Sequence, residues 1–109
     1  MHSHFILKNS SGQYTFQLRA PESSEVILTS EPYGLKAEAL AGIAKVRACA
    51  SWERRFRRRS RRSGAYFELR AHNGELLGTS ALFASASARE AGVAAVREHA
   101  RKARVEDQT

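Results

Sequence analysis

Seven arginines fall within nine consecutive positions of the stretch ERRFRRRSRRSG: Arg54, Arg55, Arg57, Arg58, Arg59, Arg61 and Arg62. A guanidinium stays charged at physiological pH, and its planar fork of donors matches a phosphate or carboxylate with two parallel hydrogen bonds. The chemistry open to such a run is the binding of nucleic acid or another polyanion, mostly independent of sequence and strongly weakened by salt. Contact of about four arginines with phosphates would give a log–log salt slope of roughly −3 to −4. Trp52, Phe56 and Tyr66 lie nearby and bring base stacking into question. Phe56 and Trp52 are nevertheless expected in the core or as a lid over it. The competing expectation is a charged edge hairpin, whose side chains guard against edge-to-edge pairing.

The charge balance localises the question. The chain has 109 residues and a net charge of +7. Of its eighteen Lys and Arg residues seven lie in the window 54–62, which leaves eleven against eleven acidic residues elsewhere. The charge excess is thus confined to one block, the condition under which a local patch attracts an anionic surface.

Other chemistry is poorly supplied. The histidines are scattered as His2, His4, His72 and His99. His2 and His4 would bind a metal weakly, and no cysteine or carboxylate cluster completes a site. Cys49, the one cysteine, excludes an intrachain disulfide. It aligns with His99 near the ends of two predicted helices, where the two positions would face each other across a pseudo-dyad. A helix-end cation and a small buried thiol account for them more simply. There is no Gly-rich phosphate loop, nucleophile elbow or recognisable Cys–His spacing. No catalytic residue, metal or cofactor is expected, and the protein is not expected to be an enzyme. No signal-peptide pattern or apolar stretch of membrane-spanning length occurs, so a cytoplasmic protein with no membrane partner is expected.

The elements that must position the arginines come from a duplication. FQLRA (16–20) matches FELRA (67–71) at an offset of 51, and Phe5 matches Phe56. EVILTS (25–30) matches ELLGTS (75–80), and AGIAKVRACA (41–50) matches AGVAAVREHA (91–100), both at an offset of 50. Each unit reads as three strands and a helix. First strands are predicted near 5–8 and 54–59, followed by turns containing Gly12 or Gly64. In the second strands Tyr14, Phe16 and Leu18 alternate with Thr15, Gln17 and Arg19, as Phe67, Leu69 and Ala71 do with Tyr66, Glu68 and Arg70. APESSE and AHNGE are turns, the latter with a favoured Asn-Gly pair. Third strands are predicted at 26–29 and 76–79.

Ala39, Ile43, Val46 and Ala50 fall at helical spacing, as do Arg89, Val93, Val96 and Ala100. Ser85 or Ser87 is the candidate cap of the second helix, and Ser87 with Glu90 has capping-box spacing. Gly42 and Gly92 sit mid-helix at matching positions, which costs about 1 kcal/mol each against alanine and points to a close backbone contact. A last strand is predicted at 103–107. Arg54–Arg62 therefore overlies the first strand and turn of unit two. Alternation sends Phe56 inward and Arg55, Arg57 and Arg59 outward. Arg58 takes the inward place of Leu7, its stem on apolar surface and its guanidinium in solvent, while Arg61 and Arg62 occupy the turn.

These features together resemble the YegP-like family of small bacterial proteins, a domain of unknown function. The carriers are the Gly-containing turn, Y/F-x-L-x-A, N-G-E, T-S, an aromatic, and a helix with G-I/V-x-x-V-R, over nearly the whole chain. The resemblance implies tandem β3-α repeats that build one sheet and exchange strands between halves, and it implies no activity. The sequence departs from the pattern at Leu35, at APESSE and in its arginine density.

The fold class expected is α+β. Duplicated β-β-β-α units form one antiparallel sheet with both helices on one face, in a monomer with internal pseudo-two-fold symmetry. Residues 1–109 form a single domain, with repeat 1 at 5–50 and repeat 2 at 54–109. Two functions stay open. One is a non-enzymatic structural or protein-interaction module using edge strands or the sheet face. The other is a module binding nucleic acid or another polyanion through the arginine hairpin. Tyr66 is the one aromatic predicted on the outer face of the second strands, so that face is expected to be solvated.

Overall fold

The computed structural model describes residues 3–109. Repeat 1 contributes β1 (His4–Ser10), β2 (Gln13–Arg19), β3 (Val26–Thr29) and helix α1 (Lys36–Cys49). Repeat 2 contributes β4 (Phe56–Arg61), β5 (Gly64–Arg70), β6 (Leu76–Thr79) and α2 (Ala86–His99), followed by β7 (Arg104–Asp107). All seven strands join one sheet in the order β4-β5-β6-β3-β2-β1-β7. The fold is α+β as expected. Six strands run antiparallel, and the exchange between halves is made by β7, which pairs with β1 in parallel, Phe5 opposite Val105. Thr29 pairs with Thr79, its own equivalent, so the pseudo-dyad passes between β3 and β6.

Alternation in the second strands sets the core. Phe16, Leu18, Phe67 and Leu69 are fully buried on the helix side, beneath Ile43, Val46, Val93 and Val96. Two matching aromatic ladders result, Phe5–Phe16–Tyr33 and Phe56–Phe67–Phe83, with ring separations of 5.8 and 6.3 Å in both. The T-S pair of each repeat has a structural task. Ser30 Oγ accepts from the Phe16 N–H and donates to the Glu31 carbonyl, and Ser80 does the same with Phe67 and Ala81. Each serine thus ends its strand while keeping the neighbouring backbone satisfied.

The contact at Gly42 and Gly92 is with aromatic side chains. A Cβ on Gly42 would lie 2.5 Å from Tyr33 Oη, and one on Gly92 2.7 Å from Phe83 Cζ. The helix is glycine where the third ring of each ladder meets it. The turns differ between repeats: Gly74 has φ +89°, and its equivalent Ser24 adopts φ +58° with no glycine to relieve it.

Several expectations shift by a few residues. Arg54 and Arg55 wind into a 3-10 turn, Glu53–Arg55, so the strand runs from Phe56 to Arg61. Arg61 closes that strand, Arg62 and Ser63 make the turn, and Gly64 begins β5. Ser85, not Ser87, caps α2 by accepting from the Ala88 N–H, and Glu90 turns away to the sheet edge. Arg89, at the apolar spacing of α2, donates to the Arg59 carbonyl at 3.0 Å and ties α2 to β4. Cys49 and His99 do not face each other. Cys49 lies against the AHNGE turn of the other repeat, beside Lys45, His72 and Glu75, and His99 lies against the APESSE turn.

Candidate polyanion interface on an arginine edge strand

β4 is one of the two edges of the sheet, β7 being the other. It pairs on one side with β5, Arg57 opposite Glu68 and Arg59 opposite Tyr66, and among the described residues no strand lies on the other. The hairpin places it there because Phe56 is drawn into the core at 4% exposure, which fixes the alternation of every later residue.

The seven arginines divide into three groups. Arg58 is the inward one, as its equivalence to Leu7 requires. It donates to Glu90 through Nε and Nη2, at 3.0 and 2.8 Å, and pairs with Glu53 through Nη1. These carboxylates, Glu90 first and then Glu53, push its guanidinium still higher than the ordinary arginine range. Glu90 is correspondingly held below the usual carboxylate range, chiefly by Arg58 and further by Arg89. Glu53 also takes Arg97 of α2 at 3.0 Å, so a chain of charges joins α2, the 3-10 turn and β4. Arg58, expected among the polyanion-binding arginines, is engaged by two carboxylates in this brace.

Arg59 shares Glu68 with Arg70, at 3.3 and 3.0 Å. One carboxylate between two guanidiniums leaves that cluster positive.

The remaining five, Arg54, Arg55, Arg57, Arg61 and Arg62, form no ion pair among the described residues. Arg61 lies over the Tyr66 ring at 4.6 Å and Arg54 over the Trp52 ring at 5.0 Å. Arg57 donates to the Arg54 carbonyl, and Arg55 meets His72 Nδ1 at 3.1 Å. Arg57, Arg59 and Arg61 share the sheet face that points away from the helices, while Arg54 and Arg55 flank the strand's start. Stacking on an aromatic face holds a guanidinium without neutralising it. These arginines are positioned yet electrostatically available.

Trp52 is not a core or lid residue. At 53% exposure it stands beside Arg54, because the chain leaves α1 and turns through Glu53–Arg55 before the first core position, Phe56. Arg19 and Arg104 do not join the patch. Arg19 lies on β2, three strand spacings from β5, or about 14 Å, and bonds Gln17 at 3.0 Å. Arg104 lies on β7 at the opposite edge.

Among the described residues no group of three or more His, Cys, Asp or Glu is placed to hold a metal. The His2 and His4 reading falls partly outside the described residues. No helix among them is long and apolar enough to cross a membrane.

The comparisons agree with this architecture. The family described as a domain of unknown function, DUF1508, matches the chain twice, at residues 9–55 and 62–107. A UPF0339 protein of Bordetella pertussis is 42% identical over 110 residues, covering 100% of this chain and 98% of its own. The UPF0339 protein YegP of Escherichia coli K12 is 39% identical over 105 residues, covering 95% and 94%. The solution NMR structure of E. coli yegP, a protein of unknown function, superimposes with a TM-score of 0.92 over 100% of this chain and 95% of that one, at 39% identity. The solution NMR structure of a UPF0339 protein of Shewanella oneidensis gives a TM-score of 0.91 over 98% and 92%, at 35% identity. With two matched repeats and relatives alike over their full length, the chain belongs to the DUF1508 family, the YegP-like proteins.

Proposed function

We propose that this protein is a non-enzymatic interaction module that takes a polyanionic partner along β4. The observation that carries the reading is the group of five arginines without a carboxylate, on and beside one edge strand, in a chain whose whole charge excess lies there. Alternate residues on a strand recur about 7 Å apart. Arg57, Arg59 and Arg61 thus form a row of fork-shaped donors suited to a linear ligand with repeated negative groups. Glu68 lowers the charge of the row without cancelling it.

The test is a titration of labelled single-stranded RNA, heparin and poly-glutamate at several salt concentrations. The control replaces Arg57, Arg59, Arg61 and Arg62 by glutamine. Micromolar binding that falls steeply with salt, with a slope near −3 for RNA, and that disappears in the folded variant, supports the reading. Equal or absent binding in both proteins overturns it. The competing reading, arginines that only guard the edge, expects the variant to self-associate with no change in binding.

A further inference from the structure

We propose that the polyanion is an acidic protein segment that adds to β4 as an extra parallel strand, through backbone pairing as well as charge. This rests on the polyanion reading and names its partner. The pattern already exists at the other edge of the sheet. There β7 lies parallel to β1 with Phe5 opposite Val105 and Ile6 opposite Glu106. The Arg104 N–H donates to the Ser3 carbonyl at 3.1 Å, and the Gln108 N–H donates to the Leu7 carbonyl at 2.8 Å. In β1 the residues on the helix side therefore turn their backbone groups toward the added strand.

The duplication transfers this geometry to β4, where Phe56 corresponds to Phe5 and Arg58 to Leu7. The Phe56 N–H is already used by the Glu53 carbonyl within the 3-10 turn. The carbonyl of Phe56 and the backbone of Arg58 and Ser60 occupy the edge positions, and among the described residues no strand pairs with them. The Arg58 side chain is drawn to Glu90 on α2 and to Glu53 in the 3-10 turn.

Charge selects the occupant. A second copy docking through its own β4 would bring a second arginine strand alongside the first, and like charges directly opposite are destabilising. A strand with acidic residues beside Arg57 and Arg59 forms same-face cross-strand pairs with them. Between these, residues beside Phe56 and Arg58 face the helix side, where β7 places Val105 beside Phe5 and Asp107 beside Leu7. The ligand is thus a segment with acidic residues on its outer face and an apolar residue beside Phe56, for which an alternating acidic–apolar peptide is the simplest probe. In the parallel register of β7 its acidic residues are the ones whose N–H groups point at β4, as Arg104 and Gln108 point at β1.

This makes the proposal separable from charge attraction alone. A labelled short peptide alternating glutamate with valine is titrated against the full chain. It is compared with two versions of the same charge, one N-methylated at the glutamates and one at the valines. Strand addition expects the glutamate-methylated peptide to bind at least ~10-fold more weakly, from the loss of edge hydrogen bonds, and the valine-methylated peptide to bind like the parent. Equal binding of all three, abolished by salt and by the four-arginine variant, would leave the polyanion reading standing and overturn strand addition. Tight RNA binding with no peptide binding would assign the edge to nucleic acid instead. No binding of peptide, RNA or heparin would overturn both readings.

Discussion

Two strands of the sheet, β1 and β4, descend from one duplicated strand, and they are finished differently. β1 is flanked by β7 within the sheet, and Leu7 is fully buried. β4 ends the sheet, and in the place of Leu7 it carries Arg58, with 29% of its side chain exposed. The difference follows from chain order. After α2 the chain is free to lie along β1, whereas after α1 it must become β4 itself. One closing segment serves two equivalent strands: β7 covers β1, and the uncovered β4 carries the charge. Duplication supplies symmetry of the core and asymmetry of the surface.

Exchanging the equivalent residues tests this contrast most severely. Leu7→Arg would bury an unpaired cation in the core and is expected to cost roughly 3–5 kcal/mol. Arg58→Leu restores the repeat 1 residue, loses only partly exposed ion pairs and should change stability by less than about 1 kcal/mol. Urea denaturation of both variants measures the pair, and similar costs would mean that the two edges are equally closed.

Removing β7 by ending the chain after Ala103 should make the edges alike. It uncovers the Phe5–Leu7 edge and is expected to cost roughly 2–3 kcal/mol. The product should self-associate through β1, which bears less charge than β4, as analytical ultracentrifugation would show.

Gly42→Ala and Gly92→Ala probe the feature the halves share. Each gains helix propensity but drives a methyl into Tyr33 or Phe83, for a net loss of about 1–2 kcal/mol in thermal unfolding. Costs that are equal within error would show that the two ladders are equivalent.

A smaller difference lies in the turns. Ser24→Gly relieves a left-handed serine and should add about 0.5–1 kcal/mol, while Gly74→Ser should remove a similar amount.

The smallest effect is one of pH. Lys36 holds the Asp107 carboxyl well below its usual range, with help from Thr109. A depressed folded pKa adds stability above the unfolded value and loses it as pH falls. Acid should therefore loosen β7 below about pH 4, and Asp107→Asn should flatten that part of the profile.

Much of the fold was legible because its signals are local and occur twice. The second and third strands follow from alternation, the helices from the spacing of Ile43 with Val46 and Val93 with Val96, and the last strand from the tail. The parallel pairing of β7 was not legible, since four residues fit either direction and only the position of α2 decides. The arginines were legible as a strand but not as three groups. Inward Arg58 follows from its match to Leu7, yet its partner Glu90 lies 32 residues away on α2, and Ser87 offered that carboxylate a local role as well. Trp52 was misassigned because an aromatic next to a core strand reads as core. The 3-10 turn that exposes it is one short irregularity, without a periodic signature.

The most direct measurement is amide hydrogen exchange by NMR at Leu7 and Arg58, in the free protein and with the glutamate–valine peptide. The account expects Leu7, paired with β7, to exchange slowly in both states. Arg58 should exchange fast in the free protein and slow markedly when the peptide binds. An Arg58 amide already protected without ligand, or unchanged when peptide is bound, would contradict the open edge and the strand it is proposed to receive.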